Sequence, residues 1–167
     1  MNGPATGYLG LGSNQGVPEQ NIFEAVDRLE DAGIEILAAA SLYKTAPQGE
    51  VLDQPDFINS AVKIRTELCP LELLDLCKRI EREMGRDPEG RRHGPRPIDI
   101  DVLLLGDRTF ISDRLNLPHK EITSRRFVLA PLLEIDPDLT LPGGERADAA
   151  LEQTADQRVT QLQQNWR

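Results

Sequence analysis

Apolar positions recur along this chain with two periods, one of strands and one of helices, and the points where the period changes mark the elements. Tyr8 to Leu11 is a short apolar run closed by Gly12-Ser13-Asn14, which predicts a buried strand ending in a tight turn. After Pro18, Ile22, Phe23, Val26 and Leu29 fall at helical spacing, and Gly33 predicts the stop of a helix over 18–32. Ile34 to Tyr43 reads as a second strand, Thr45 to Pro55 as a loop and Phe57 to Arg65 as a third strand. Along that third strand Phe57, Asn59, Ala61 and Lys63 share one face, and Ile58, Ser60, Val62 and Ile64 share the other. Pro70 opens a second helix with the stripe Leu73, Leu74, Cys77, Ile80 and Met84, ended by Gly85. Ile98 to Leu105 is a fourth strand.

The resulting order, β-α-β-β-α-β, predicts an α+β fold with a ferredoxin-like core and a mostly antiparallel sheet. C-terminal additions follow: a short strand near 109–111, a helical stretch near 125–134, and a polar tail from Glu145 in which 151–164 reads as a surface helix. All 167 residues are expected to form one domain, with its core at about 7–143 and its tail at about 145–167.

Composition narrows the partners. Aromatic residues make up 4% of the chain and apolar residues 39%, so the core must be built mainly of Leu, Ile, Val and Ala. With 28 acidic against 19 basic residues and a net charge of −9, the chain lacks the broad basic face of a nucleic-acid binder. No apolar run approaches the roughly 20 residues of a membrane span, and no basic-then-apolar leader opens the chain, so a cytoplasmic, membrane-free protein is expected, acting as a monomer. Cys69 and Cys77 are eight apart without a Cys-x-x-Cys or nearby histidine, and read as small buried residues.

One stretch departs from the acidic background. From Lys78 to Arg96 seven basic residues (Lys78, Arg79, Arg82, Arg86, Arg91, Arg92, Arg96) face four acidic ones (Glu81, Glu83, Asp87, Glu89). Arg79 and Arg82 fit a solvated helix face. Arg96 sits between Pro95 and Pro97, which restrict the backbone on either side and present its side chain. Directly afterwards come Asp99 and Asp101, two residues apart. On a strand such side chains leave one face roughly 7 Å apart. Both can then reach one hard cation or a close pair, and Mg²⁺ is commonly held by one or two carboxylates together with substrate phosphates. Ile98 and Ile100 would face the core and fix the register. A planar arginine fork suits the phosphate oxygens of a nucleotide. On these residues alone, three other readings stay open: a non-catalytic small-molecule sensor, an RNA-recognition module with the same strand order, and a metal-dependent phosphate hydrolase.

Five patches occur in a familiar order: Gly10-Leu11-Gly12-Ser13-Asn14; Tyr43-Lys44-Thr45-Ala46-Pro47; Gln54-Pro55-Asp56-Phe57-Ile58-Asn59-Ser60-Ala61; Gly94-Pro95-Arg96-Pro97-Ile98-Asp99-Ile100-Asp101; and Pro118-His119 followed by Arg125-Arg126-Phe127. Through them the chain resembles the 6-hydroxymethyl-7,8-dihydropterin pyrophosphokinases of folate biosynthesis, from about Tyr8 to Gly143.

The resemblance implies transfer of pyrophosphate from ATP to the hydroxymethyl group of 6-hydroxymethyl-7,8-dihydropterin, with AMP as the second product. It implies that Asp99 and Asp101 hold Mg²⁺, with two ions expected, and that Arg86 and Arg96 act on the phosphates beside them. Arg92, Ile100, His119 and Arg125 would join Arg86 and Arg96 in binding the nucleotide. Thr45, Pro47, Gly49, Phe57, Asn59 and Phe127 would bind the pterin, the two rings sandwiching it, and the loop from Gly85 to Gly94 would be a mobile lid. The chain departs from some members of the family at Pro88, where they carry an arginine, and at His93, where they carry an aromatic ring. Arg91 or Arg92 could supply the missing lid charge.

Overall fold

The computed structural model describes residues 3–47, 53–87, 89, 94–162 and 166–167. The first strand, β1 (Ala5–Ser13), runs on through Gly12 and Ser13, so these residues lie inside a strand and not in the expected turn. Their neighbours explain this: both flanking strands pair with β1 along this stretch and supply the ladder hydrogen bonds that a turn would have forgone. Helix α1 (Pro18–Asp31) follows, ending near Gly33, whose φ of 95° requires glycine.

The expected second strand is broken in two, β2 (Glu35–Ala39) and β3 (Tyr43–Thr45). Its register against β4 (Phe57–Thr66) slips between Ile36 and Ala38, and at Ser41 the backbone N–H turns to the Glu134 carboxylate at 3.0–3.1 Å. A side chain distant in sequence thus supplies the acceptor. Helix α2 (Pro70–Glu83) and strand β5 (Asp99–Leu105) complete the core, followed by the hairpin β6 (Phe110–Ile111) and β7 (Asn116–Leu117). Helix α3 (Arg126–Ile135) matches its expected place. The tail departs from expectation: it holds a short helix α4 (Ala147–Glu152) and then a strand, β8 (Val159–Gln161), because β3 offers a free edge to which those residues pair.

The main sheet is antiparallel, in the order β5-β1-β4-β3-β8, with β2 also paired to β4. Leu9, Leu11, Val62, Ile64, Ile98 and Ile100 point to one side of it, into a core closed by Ile22, Val26 and Leu29 of α1 and Leu73, Cys77 and Ile80 of α2. Cys77 is a buried free thiol that burial pushes up to about 12, whereas Cys69 is only half-buried, at the start of α2. Tyr8, Ala61 and Leu103 point to the other side, against Leu132 of α3. Helix α3 covers only part of this second face; where β1 carries Gly10 and Gly12 a cleft remains.

Candidate active site

The cleft owes its floor to strand register. Gly12 lies between Asn59 of β4 and Asp99 of β5, and Gly10 lies between Ala61 and Asp101. Side chains in register on adjacent strands share a face, so the absent side chains of β1 leave the space between the amide and the carboxylates open. A Cβ on Gly12 would stand 2.8 Å from Asn59 Oδ1, closer than real contacts allow. The cleft, with its open mouth, spans about 680 Å³.

Its walls carry Phe57 and Phe127, each with a guanidinium over the ring: Arg96 lies 5.2 Å from the Phe57 centroid and Arg125 lies 5.6 Å from that of Phe127. Two donors here are buried and lack a hydrogen-bond partner among the described residues, Asn59 Nδ2 and Arg96 Nε. Native proteins rarely leave such atoms unpaired, since each costs on the order of 1–3 kcal/mol. A planar ligand with acceptors on its edge would satisfy them. Arg96 is itself held at its backbone by Asn14, whose side-chain oxygen accepts the Arg96 N–H at 2.9 Å while its amide donates to Gln54 Oε1 at 2.8 Å and Pro55 O at 3.0 Å.

At the far end stand Asp99 and Asp101, on one face as their spacing predicts, with Ile98 and Ile100 fully buried behind them. Burial pushes Asp101 up to about 7, with the neighbouring Asp99 charge adding to the effect. Burial acts on Asp99 too, but Arg86 and Arg96 outweigh it and hold this carboxylate below its ordinary value. Arg86 Nη1 donates to Asp99 Oδ1 at 2.7 Å and lies 3.0 Å from Glu81 Oε1. Glu81 was not foreseen as part of this site. Its carboxylate is buried on α2 and accepts the Ile100 N–H at 2.8 Å, a donor that faces outward from the edge strand β5 and would otherwise be unpaired. Burial and Asp99 raise the Glu81 pKa against the opposing pull of Lys78.

Asp101 also borders a second cavity of about 580 Å³, lined among others by Leu74, Lys78, Ile100, Asn116, His119 and Lys120. His119 donates its backbone N–H to Leu103 O at 3.0 Å, and its Nδ1 accepts the Glu121 N–H at 3.1 Å, which assigns the ring proton to Nε2. Burial, assisted by Arg125, lowers its pKa, so the ring is neutral near pH 7.

The sequence model of the family 7,8-dihydro-6-hydroxymethylpterin-pyrophosphokinase (HPPK) matches residues 8–137, well over half of the chain. The chain belongs to this family. It is 48% identical over 145 residues to the 2-amino-4-hydroxy-6-hydroxymethyldihydropteridine pyrophosphokinase of Methylorubrum extorquens, covering 86% of this chain and 90% of that protein. It is 46% identical over 127 residues to a folate synthesis bifunctional protein of Arabidopsis thaliana, covering 76% of this chain but only 26% of that longer one. The crystal structure of Plasmodium falciparum HPPK-DHPS with pterin and p-hydroxybenzoate superposes with a TM-score of 0.73 at 18% identity, over 93% of this chain and 44% of that one, a likeness of fold.

Of the residues the HPPK motifs single out, Thr45, Phe57, Asn59, Arg96, Asp99, Asp101, Arg125 and Phe127 line the one cleft. Ile100 and His119 line the second cavity, next to it through Asp101. Arg86 sits against Asp99. Pro47 follows Thr45 and Ala46 but is not part of the cleft lining, and Gly49, Pro88, Arg91, Arg92 and His93 lie outside the described residues. Arg79 and Arg82 are exposed on α2, as expected. Lys78, Asn116 and Lys120 were not foreseen; their positions follow from the packing of α2 and β7 beside β5, for which no local motif exists. Among the described residues no helix is long and apolar enough to cross a membrane.

Proposed function

We propose that the chain transfers a pyrophosphoryl group from ATP to the hydroxymethyl oxygen of 6-hydroxymethyl-7,8-dihydropterin, as one domain on a ferredoxin-like core, a reading supported by the strand order. The observation that carries the proposal is the pair of unpartnered buried donors, Asn59 Nδ2 and Arg96 Nε, in a cleft that runs from two phenylalanine rings to an acidic pair. Phe57 and Phe127 would stack on the two faces of the pterin, while Asn59 and Thr45, with Pro47 and Gly49 beside them, would read its edge. The triphosphate would lie across Arg86, Arg96 and Arg92, with the nucleoside toward Ile100, His119 and Arg125.

Burial, with the Asp99 charge adding to it, pushes Asp101 up to about 7, and the oxygens of the two carboxylates, side by side on the cleft face, suit a hard cation that would favour their ionised forms. Asp99 and Asp101 would hold Mg²⁺, with two ions expected, and the metal would neutralise triphosphate charge. The substrate hydroxyl attacks the β-phosphorus in line, its proton passes to solvent, and the bond to the α-phosphate oxygen breaks to release AMP. The protein contributes position and charge.

The test is AMP formation from ATP and Mg²⁺ with and without the pterin, in wild type beside Asp99→Ala. Pterin-dependent AMP that disappears in the variant is the expected result. ATP turnover without pterin would mean a phosphate hydrolase instead, and absence of turnover with an intact fold would mean a binding protein.

A further inference from the structure

The segment after α4 lies beyond the residues that the family model matches, yet it touches both walls of the cleft. On one side Gln157 grips the turn before α3 from both ends: its Nε2 donates to Ser124 O at 2.8 Å, and its Oε1 accepts the Arg126 N–H at 2.9 Å. Arg125 and Phe127 hang on this turn. Arg126 returns the contact through a hydrogen bond from Nη1 to Leu151 O at 3.2 Å. On the other side, two residues further on, β8 begins, and Val159 pairs with Thr45 of the opposite wall. The segment is fixed at its near end by the buried Thr154, whose hydroxyl donates to Leu151 O at 2.7 Å. Beyond β8, Leu162 N–H donates to Leu42 O at 2.7 Å, and Trp166 donates to Ala40 O at 2.7 Å and stacks on Phe23 at 5.0 Å.

We propose that residues 154–162 are a brace that sets the width of the cleft between Phe127 and Thr45, with Gln157 as its positioning residue. A flat bicycle binds between two rings only if their spacing matches its thickness, and the ring on the α3 turn has no strand of its own to fix it. Gln157 substitutes for a strand partner there, because its amide offers the donor and acceptor that a neighbouring backbone would. The two anchor points are separated by a single residue, Arg158, so a displacement of either wall is resisted by the other.

The inference rests on the proposed pterin site, and the experiment separates the two. Pterin affinity is measured by calorimetry, in the presence of a nonhydrolysable ATP analogue, for wild type, Gln157→Ala, Phe127→Ala and the double variant. Gln157→Ala is expected to weaken pterin binding roughly tenfold, and in the Phe127→Ala background by less than about twofold, since the brace then has no ring to hold. Gln157→Glu, which keeps the acceptor for Arg126 N–H and loses the donor, should fall between wild type and Gln157→Ala. Unchanged affinity in Gln157→Ala, or an equal factor in both backgrounds, would overturn the brace while leaving the site intact. Unfolding of both Gln157 variants would overturn it as well, because the segment would then support the whole fold. Wild type that binds no pterin would overturn the site, and the brace with it.

Discussion

Asn14 and Arg96 are locked to each other on both sides of the backbone: the Asn14 side-chain oxygen accepts the Arg96 N–H at 2.9 Å, and the Asn14 N–H donates to Arg96 O at 3.2 Å. The end of β1 thus holds the loop that presents the guanidinium over Phe57. Asn14→Ala should lower stability by about 1–3 kcal/mol, since buried partners lose their hydrogen bonds. It should also reduce kcat/KM by up to about 100-fold through misplacement of Arg96. Thermal denaturation and steady-state kinetics on one preparation check both, and an unchanged kcat/KM would show that the prolines alone position Arg96.

Gly12 faces Asn59 so closely that a methyl group cannot be added without moving the amide. Gly12→Ala should leave the sheet folded, with far-ultraviolet circular dichroism unchanged, and weaken pterin binding by about tenfold or more as Asn59 loses its aim. Equal pterin affinity in the variant would remove Asn59 from the recognition edge.

Arg86 places its positive charge on Asp99, where a cation is proposed to bind. Arg86→Ala should therefore tighten Mg²⁺ binding in the absence of nucleotide, while kcat falls by about 100-fold or more if the proposed phosphate contact is lost with it. Magnesium titration by calorimetry reads the first effect. Weaker Mg²⁺ binding in the variant would mean that Arg86 organises the carboxylates and does not compete for them.

Asp101 and Asp99 repel each other across a partly desolvated face. Asp101→Asn relieves that repulsion, so the metal-free protein should melt higher at pH 8, by roughly 2–5 °C. The same change should abolish Mg²⁺-dependent stabilisation and activity. A lower melting temperature would show that Asp101 is held by its basic neighbours more strongly than it is opposed by Asp99.

His119 has its pKa lowered by burial, with Arg125 adding to the effect. A group whose pKa is depressed on folding contributes stability above its unfolded value, about 6.5 for histidine, and loses it as pH falls through the folded value. Wild type should therefore destabilise on acidification below about pH 6.5 more steeply than His119→Asn. The His119 ring resonances should titrate below those of a free histidine, and Arg125→Ala should move that midpoint upward. A His119 midpoint at or above the free value would contradict the burial of the ring.

Periodicity by itself determined the main helices, the third and fourth strands, and the face shared by Phe57, Asn59 and Ala61, because a buried face imposes its period on neighbouring residues. The spacing of Asp99 and Asp101 likewise determined that both leave one side of β5 while Ile98 and Ile100 enter the core. What the tertiary structure alone decided involves partners distant in sequence. Gly12 reads locally as the start of a turn, and only pairing on both sides makes it strand. The break between β2 and β3 depends on Glu134, and the tail becomes a strand only where β3 presents an edge. Buried Glu81 is an ordinary helix-surface residue in the sequence until the unpaired N–H of Ile100 meets it. Local sequence encodes which face is apolar, whereas the acceptor for each remaining backbone donor is chosen in three dimensions, and that choice shaped the cleft.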